Sequence, residues 1–383
     1  MTSPPEAGDL SAPLAWIRSE WEARAIALGF PGYRGRQAHD AIHLRAVEGW
    51  EEIPEISRSD RERWSEAVPF ALPSVVRREV SSDGTVKYGL RLFDGALVET
   101  VFMPRGEEAS GARDEFADAR VSPGGPTPRS AESAADPLRA TVCLSSQTGC
   151  AVDCRFCVTG RLGAGRNLTA GEIVGQLLAV KRENPSPNYA LVFMGMGEPM
   201  LNLENVGKAL DVFAESISPR RTTVSTSGFP EGIARLGRRR SPPNLAVSIN
   251  AADDRTREKI MPITRAHPLA DVVAAMRKFP LAHRRRITAE YVLLAGVNDS
   301  PDDARRLARL LRGIPVKINV IPFNPDPHVP EFRRPSEAAV ARFVETLARE
   351  RYTVTVRRSK GPDAAAACGQ LKGREVDPRR ARK

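Results

Sequence analysis

The sequence predicts an α/β protein built as a partial parallel barrel. From Thr141 onward, short apolar segments alternate with helical patterns, an order that makes a parallel sheet with right-handed crossovers. There are six such strand–helix units, fewer than the eight of a closed barrel, so one side of the barrel stays open. Small polar residues and glycines follow the strands, at the end of the sheet where barrels of this kind carry their active sites.

Each predicted strand is a short apolar segment, and each is followed by apolar residues at helical spacing. The strand candidates are 141–145, 189–194, 221–226, 244–249, 287–294 and 316–322. The helix candidates are 169–183, 203–216, 230–238, a broken stretch over 253–279, 301–312 and 336–350. A further strand over 352–358 closes the series. We therefore assign residues 138–360 to the barrel.

Upstream of the barrel, the sequence predicts helices and then β-hairpins. The first helix is predicted by apolar residues at helical spacing, namely Leu14, Ile17, Trp21, Ala25 and Leu28. A second helix is expected over 35–47. The basic, glycine-rich segment 29–37 either tracks a nucleic-acid backbone or is an ordinary connection between helices. Turn residues at 82–84 and 94–95 predict β-hairpins.

These patterns divide the chain into consecutive regions. Residues 105–137 are rich in Gly, Ala, Ser and Pro and have almost no large apolar side chains, which is typical of a disordered insertion. The regions are a helical N-terminal accessory domain (1–74), a β-hairpin connection (75–104), the insertion (105–137), the barrel (138–360) and a C-terminal segment with a basic tail (361–383).

The composition indicates a soluble globular protein with a polyanionic partner. Of 383 residues, 41% are hydrophobic, and 57 Lys and Arg against 47 Asp and Glu give a formal charge of +10. No run of about 18 apolar residues predicts a membrane span, and the N-terminus lacks the pattern of a signal peptide. An odd number of cysteines, 5, without an export signal fits a reducing cytoplasm.

Three of the cysteines form a triplet, Cys150, Cys154 and Cys157, in the sequence CAVDCRFC. The triplet follows the first barrel strand, so it lies at the end of the sheet expected to carry the active site. Three thiolates are one ligand fewer than most cubane iron–sulfur clusters and closed zinc sites use, which leaves a metal position open for a small molecule. The alternative is a structural zinc site completed by Cys143 or Cys368.

Residues at the ends of the following strands are candidates for binding that small molecule. After the second strand, Gly195 and Gly197 permit close approach of a ligand, and Glu198 accepts hydrogen bonds from an ammonium group. The ends of later strands carry residues that suit ribose hydroxyls and a carboxylate. The candidate cofactor-binding residues are therefore Gly197, Glu198, Ser225, Ser248, Ile249, Asn250 and Asn324. Helix capping and turn formation are the alternative explanation for these later residues.

These motifs together carry a specific resemblance. The triplet with Phe156 is similar to the CxxxCxΦC signature of radical S-adenosylmethionine (SAM) enzymes, in which the unligated iron of a [4Fe–4S] cluster binds SAM. Between about Leu97 and Asp377 the chain resembles the RlmN/Cfr family of radical SAM methyltransferases, which methylate an adenine in RNA. The stretches that carry this resemblance are SSQTGC (145–150), MGMGEP (194–199), STSG (225–228), EYV (290–292), VNDS (297–300), KIN (317–319), IPFNP (321–325) and ACGQL (367–371).

The resemblance implies a barrel of radical SAM type and a role for the two remaining cysteines. One SAM methylates Cys368, and a second SAM on the cluster yields a radical that takes a hydrogen from this methyl group. The methylene radical adds to adenine, and Cys143 resolves the thioether by forming a disulfide with Cys368. Two SAM are thus used per turnover, and Glu99 matches the family's proton acceptor. The alternatives are a small buried residue for each cysteine and an outward-facing strand carboxylate for Glu99.

The resemblance is strongest to the RlmN branch, which acts at carbon 2 of adenine in 23S rRNA and in tRNA. We therefore expect a cytoplasmic, monomeric enzyme without membrane association, whose N-terminal domain binds RNA. Its expected partners are 23S rRNA, tRNA and a one-electron reductant protein such as a flavodoxin. Two alternatives stay open: a carbon-8 methyltransferase of the Cfr type, and a non-catalytic, zinc-stabilised RNA-binding protein.

Three features depart from the family pattern. Asn250 stands where the family commonly has His, which puts its contacts with SAM in question. Val158 replaces the Ser often found directly after the last cysteine of the triplet. The insertion 105–137 lies between Glu99 and Cys143 in the sequence, beside the expected site, and bears on the choice of substrate.

Overall fold

Within the described residues, one ten-stranded sheet organises the protein, and every strand pairs with the next strand in sequence. The computed structural model describes residues 9–104, 139–186, 188–357, 361 and 364–372. The strands are β1 (Ser74–Val80), β2 (Val86–Arg91), β3 (Leu97–Pro104), β4 (Arg139–Cys143), β5 (Asn188–Phe193), β6 (Thr222–Thr226), β7 (Asn244–Ser248), β8 (Ile287–Leu293), β9 (Val316–Pro322) and β10 (Val354–Val356).

Helices precede the sheet and then alternate with its parallel strands. In the N-terminal region they are α1 (Arg18–Ala27), α2 (Gly32–His39) and α3 (Arg58–Ala67). In the barrel they are α4 (Val158–Arg161), α5 (Ala170–Glu183), α6 (Leu203–Ala214), α7 (Pro230–Gly237), α8 (Asp254–Ile260), α9 (Leu269–Lys278), α10 (Pro301–Leu310) and α11 (Glu337–Arg349). Pro262 and Pro268 lie between α8 and α9, so the broken helix predicted over 253–279 is two helices.

The predicted partial parallel barrel is confirmed. Neighbouring strands from β4 to β10 pair in parallel, and β1 and β10 form the two ends of the sheet, so the barrel is not closed. The pairs from β1 to β4 are antiparallel, with Val101 opposite Cys143. The predicted β-hairpins are therefore continuous with the barrel sheet, because β3 pairs with the backbone groups along the edge of β4.

The N-terminal helices enclose an aromatic core. Trp64 stacks on Trp50 with ring centroids 4.9 Å apart, and Trp21 packs against both at 6.1 Å. The predicted second helix begins at Gly32 rather than at residue 35 and passes into a π-helical turn, Asp40–Leu44. A side chain at Gly35 would overlap the carbonyl of Trp21, so this glycine serves the contact between α1 and α2. Of the two interpretations of segment 29–37, this contact favours an ordinary connection between helices.

Polar contacts join the N-terminal helices to the outside of the barrel. The His39 Nε2 atom lies 2.8 Å from Glu215, just after α6, and Lys208 on α6 pairs with Glu20 on α1 at 2.6 Å. No helix formed by the described residues is long and apolar enough to cross a membrane. The predicted insertion 105–137 and the basic tail beyond Lys372 lie outside the described residues.

Candidate active site

The C-terminal ends of the parallel strands surround a cavity of about 170 Å³. All three cysteines of the triplet border this cavity, and so does Cys368 from the C-terminal segment. Six of the predicted cofactor-binding residues also line it, namely Gly197, Glu198, Ser225, Ser248, Asn250 and Asn324. Ile249 is fully buried and does not border the cavity. The structure thus gathers residues from five strand ends and from the C-terminal segment around one space.

The triplet lies in the loop between β4 and α4. The Cys150 N–H donates to the Gly163 carbonyl at 2.9 Å, and the Cys157 N–H donates to the Cys154 carbonyl at 3.0 Å. These bonds fold the loop back on itself, so that the three thiols border the same cavity. Val158, which begins α4, is fully buried and takes part in anchoring the C-terminal segment.

Burial controls the protonation of these thiols. It raises the pKa of Cys150 to about 12, and it raises the pKa of Cys154 and of Cys157 as well. The thiols are therefore neutral at physiological pH until a soft metal binds the sulfur atoms and displaces their protons. A cluster that uses one thiolate on each of three irons fits this donor set.

A single zinc ion fits the thiols less well. In the part of the chain that the structure describes, no three His, Cys, Asp or Glu side chains are arranged to hold one metal ion. A closed zinc site needs four ligands that converge on one centre. Of the two candidate fourth ligands, Cys368 borders the cavity of the triplet, whereas Cys143 borders only a second cavity beside Cys368.

Glu198 is a buried carboxylate at the cavity wall. It accepts hydrogen bonds from the Met200 N–H at 3.0 Å and from the N–H and hydroxyl of Ser227, both at 2.7 Å. Burial raises the pKa of Glu198 above its usual range, and these donors oppose the rise. The carboxylate therefore fixes the loop after β6 and at the same time borders the space where an ammonium group is expected.

Packing within the protein explains the glycines of this turn. Gly197 has φ +96°, and a Cβ atom there would lie 2.5 Å from the Cβ of Gln147. A Cβ atom at Gly195 would lie 2.7 Å from the Leu144 carbonyl oxygen. The turn after β5 thus packs directly on the segment that leads into the triplet. Both glycines also border the cavity, where the sequence predicted close approach of a ligand.

Asn250 has an internal role that explains why asparagine is accommodated there. Its φ of +57° lies in the left-handed region, which Asn tolerates better than most residues. Its side-chain oxygen accepts the Val292 N–H at 2.9 Å, and its carbonyl accepts the Asn298 amide at 2.6 Å. The Asn250 side chain therefore ties β7 to β8 and lines the cavity.

Arg257 is a site residue that the sequence analysis missed. It is fully buried on α8 and donates to the carbonyls of Ile249 at 3.0 Å, Ser248 at 3.1 Å and Ser227 at 2.5 Å. Burial lowers the pKa of Arg257 to about 10, while the nearby Cys154 opposes this shift. The signal in the sequence is its spacing of three from the buried Ile260 on one helix face. Glu290 also lines the cavity and is buried.

Cys368 and Cys143 border a smaller cavity of about 30 Å³ between β4 and the C-terminal segment. Cys368 also borders the larger cavity, where its neighbour Gly369 faces the triplet loop. Burial and the nearness of Cys368 raise the pKa of Cys143 to about 12. All five cysteines are free thiols. The structure therefore places Cys368 between the triplet and Cys143.

Hydrogen bonds hold the Cys368 segment in place. The Val158 N–H donates to the Gly369 carbonyl at 2.7 Å, and the Thr159 hydroxyl donates to the Leu371 carbonyl at 2.5 Å. The Asn324 amide donates to the Cys368 carbonyl at 3.5 Å. Two of these bonds come from the start of α4, directly after the triplet, so the position of Cys368 depends on the cysteine loop.

Glu99 lies beside the same segment but borders neither cavity. Its buried carboxylate pairs with Arg77, lies 3.8 Å from the Lys87 ammonium and accepts the Lys372 N–H at 2.8 Å. Lys87 is itself buried and donates to the Ala365 carbonyl at 3.3 Å. Glu99 thus faces inward, which differs from the outward-facing alternative, and it anchors the segment that carries Cys368.

The fold and the cavity define a radical SAM enzyme. Residues 144–311 match the Radical SAM superfamily. A radical SAM methyltransferase from Sphaerobacter thermophilus, known from its crystal structure, superposes with a TM-score of 0.82. It is 35% identical in sequence, and the match covers 94% of this chain and 99% of that one.

Proteins with a higher sequence identity to this chain identify the family within the radical SAM enzymes. The dual-specificity RNA methyltransferase RlmN of Anaeromyxobacter dehalogenans is 42% identical over 367 residues, 92% of this chain and 90% of that protein. The protein of the same name from Geobacter sulfurreducens is 43% identical over 359 residues, 93% of this chain and 90% of that protein. The chain belongs to the RlmN family of radical SAM methyltransferases.

Proposed function

We propose that this enzyme methylates carbon 2 of adenine in 23S rRNA and tRNA, with Cys368 as the methyl carrier. The observation that carries the proposal is the position of Cys368, which borders both the cavity of the triplet and the smaller cavity of Cys143. A carrier thiol needs access to a methyl donor on one side and to a resolving thiol on the other. The names of the RlmN relatives support RNA as the substrate.

The triplet would hold a [4Fe–4S] cluster through Cys150, Cys154 and Cys157. When bound, the cluster supplies the electron that splits SAM into methionine and a 5′-deoxyadenosyl radical. The side chains around the cavity orient SAM: Glu198 binds its ammonium group, and Ser225 and Ser248 meet its ribose and carboxylate. Two SAM molecules are used per turnover, one to methylate Cys368 and one to activate that methyl group.

The remaining cysteine completes the reaction. The Cys143 sulfur attacks the Cys368 sulfur and forms a transient disulfide. The bond between the Cys368 sulfur and the methylene carbon breaks, and that carbon takes the electron pair and a proton to become the methyl group of the released base. Since burial raises the pKa of Cys143 to about 12, it stays a thiol until a base takes its proton. Glu99 is our candidate for a proton acceptor in this region, where its carboxylate pairs with Arg77 and lies 3.8 Å from the Lys87 ammonium. A reductant must then reopen the disulfide.

Further features of the proposal follow from charge and location. The excess of basic residues, +10 in formal charge, supports binding of RNA phosphates. The N-terminal helices, which pack on the barrel, belong to the RNA-binding surface. We expect a cytoplasmic monomer that receives single electrons from a protein such as a flavodoxin.

Mass spectrometry of nucleosides tests the proposal. The cluster-loaded enzyme is incubated anaerobically with a reductant, methyl-deuterated SAM and unmodified 23S rRNA fragments or tRNA. We expect 2-methyladenosine carrying two deuterons, because passage through a methylene radical removes one. 8-Methyladenosine would instead assign the enzyme to the carbon-8 reaction. Absence of labelled adenosine from a cluster-loaded protein would reject the proposal.

The Cys368→Ala variant tests the methyl carrier separately. We expect the variant to keep its iron and sulfide content and its absorbance, because Cys368 is not a cluster ligand. Methyl transfer to RNA should fall below detection. Conversely, Cys154→Ala should lose the cluster. Normal turnover by Cys368→Ala would exclude a methyl-carrier role for this residue.

A further inference from the structure

Arginine runs lie in the loops that lead into three neighbouring strands. Residues 220–221 precede β6, residues 238–240 precede β7 and residues 284–286 precede β8, and every residue in these ranges is arginine. We call these ranges the arginine belt. Since β6, β7 and β8 are parallel, their N-terminal ends meet at one end of the barrel, opposite the cavity. The connecting loops 216–221, 238–243 and 279–286 contain no Asp or Glu.

Contacts between the loops show that the three runs form one surface. The Asn244 amide, at the start of β7, donates to the Arg220 carbonyl at 2.8 Å. The Arg285 guanidinium donates to the Pro242 carbonyl at 3.4 Å, which joins the loops before β7 and β8. Burial lowers the pKa of Arg285, and the charge of nearby Arg220 lowers it further. The arginine side chains therefore lie close enough to repel one another.

Each run has at least one member that anchors its loop through a side-chain contact. Arg221 donates to the Asn188 side chain at 2.9 Å, Arg239 pairs with Asp211, and Arg286 donates to the Thr353 hydroxyl at 2.8 Å. Arg285 is half-buried and bound to the Pro242 carbonyl, and the remaining members are exposed. Those exposed to solvent, without a carboxylate partner among the described residues, are Arg220, Arg238, Arg240 and Arg284. The anchoring residues thus fix the loops, and the exposed arginines carry positive charge that no carboxylate of the described residues neutralises.

We propose that the arginine belt binds phosphate groups of the substrate RNA, at a second contact distant from the adenine that is methylated. This inference rests on the proposed function, which makes a folded RNA the substrate. Arginine suits phosphate because its planar guanidinium donates two parallel hydrogen bonds. Strands of 5–7 residues separate the two ends of the barrel, which corresponds to roughly 20 Å at about 3.3 Å per residue. Only a large RNA reaches both ends, so the belt selects for folded substrates.

An acidic reductant protein is a poorer occupant of this surface. A protein that delivers electrons must approach the cluster, and the cluster cysteines lie at the C-terminal ends of the strands. The arginine belt lies at the N-terminal ends. Phosphates of a folded RNA, in contrast, can extend around the barrel from the base in the cavity.

The triple variant R220Q/R238Q/R284Q tests the belt in the cluster-loaded enzyme. Its dissociation constant for intact tRNA is measured between 50 and 200 mM salt. The slope of log affinity against log salt should become shallower by about 2–3, because each lost phosphate contact contributes about 0.7–0.9. KM for tRNA should rise at least about ten-fold at fixed salt, with kcat retained. SAM cleavage in the absence of RNA should be unchanged, which shows that the barrel and cluster are intact.

A variant with the same net charge serves as the matched control. R265Q/R305Q/R309Q removes three exposed arginines from the segment after α8 and from α10, away from the belt. It should bind tRNA with nearly the wild-type slope. Equal slopes for the belt variant and the wild type would overturn the inference, as would slower reduction by flavodoxin with unchanged RNA binding. If wild-type enzyme formed no methyladenosine, the proposed function itself would fail, whereas the binding slopes test only the belt.

Discussion

The Glu198 carboxylate binds Ser227 twice, through the Ser227 N–H and through its hydroxyl, each at 2.7 Å. Glu198 lies in the loop after β5 and Ser227 directly follows β6, so this pair joins two neighbouring loops at the cavity wall. Arg257 binds the Ser227 carbonyl from the other side. The buried Glu198 carboxyl group and the buried Arg257 guanidinium thus position the same short segment.

Replacing Glu198 tests whether this carboxylate also binds SAM. We expect Glu198→Gln to raise the Kd for SAM about ten-fold or more, since a hydrogen bond to a charged group contributes about 1.5–3 kcal/mol. Equilibrium binding of SAM to cluster-loaded protein measures this change. Glu337→Gln, an exposed residue at the start of α11, is the control and should bind like the wild type. Unchanged SAM affinity in Glu198→Gln would show that the carboxylate only holds the loops after β5 and β6 together and does not bind SAM.

Replacing Cys143 tests the resolving step. In Cys143→Ala we expect the reaction to stop at the thioether between Cys368 and adenine, because no neighbouring thiol can attack. A denaturing gel with labelled RNA should then show a protein–RNA band that resists reducing agents. The double variant Cys143→Ala/Cys368→Ala should lack this band. Normal release of methylated RNA by Cys143→Ala would contradict the assignment.

Arg257→Lys should destabilise the protein although the charge is kept. Lysine has one nitrogen and cannot reproduce the bonds to the carbonyls at the ends of β6 and β7. We expect a loss of at least about 1.5–3 kcal/mol in the free energy of unfolding. Denaturant unfolding measures it, with Arg255→Lys, an exposed neighbour on α8, as control. Equal losses in both variants would remove the special role of Arg257.

His43 predicts a dependence of stability on pH. Burial, with the charges of His39 and Lys181, lowers the pKa of His43 to about 3, against a usual value of 6.5. Between these values the unfolded chain binds more protons than the folded one, so stability falls as pH decreases below 6.5. This group should make the protein about 2 kcal/mol less stable at pH 5 than at pH 7.

The His43→Gln variant checks that pH dependence. Unfolding free energies measured at pH 7 and pH 5 should differ less in this variant than in the wild type. His283→Gln, which changes an exposed histidine, should keep the wild-type difference. If the wild-type and His43→Gln differences agree, another group causes the loss of stability in acid.

Local patterns predict most of the barrel and the metal-ligating part of its site. The predicted strand 316–322 is β9 in the structure, and the predicted helix 169–183 is α5 within one residue. Such agreement arises because apolar periodicity reflects the local burial of each segment. The triplet is equally local, since its three thiols lie on one short loop whose position after β4 follows from strand order. The resemblance to the family rests on motifs that are themselves short stretches of sequence.

Contacts between distant parts of the chain were decided by tertiary packing. The cavity shared by Cys143 and Cys368, and the ion pairs of Glu99 with Arg77 and Lys87, bring together residues that no periodicity relates. Arg257 looks like an ordinary charged helix residue until packing buries it beneath the ends of β6 and β7. Sequence spacing reports which face of a segment is buried, whereas the partner of a buried group depends on how the segments pack in three dimensions.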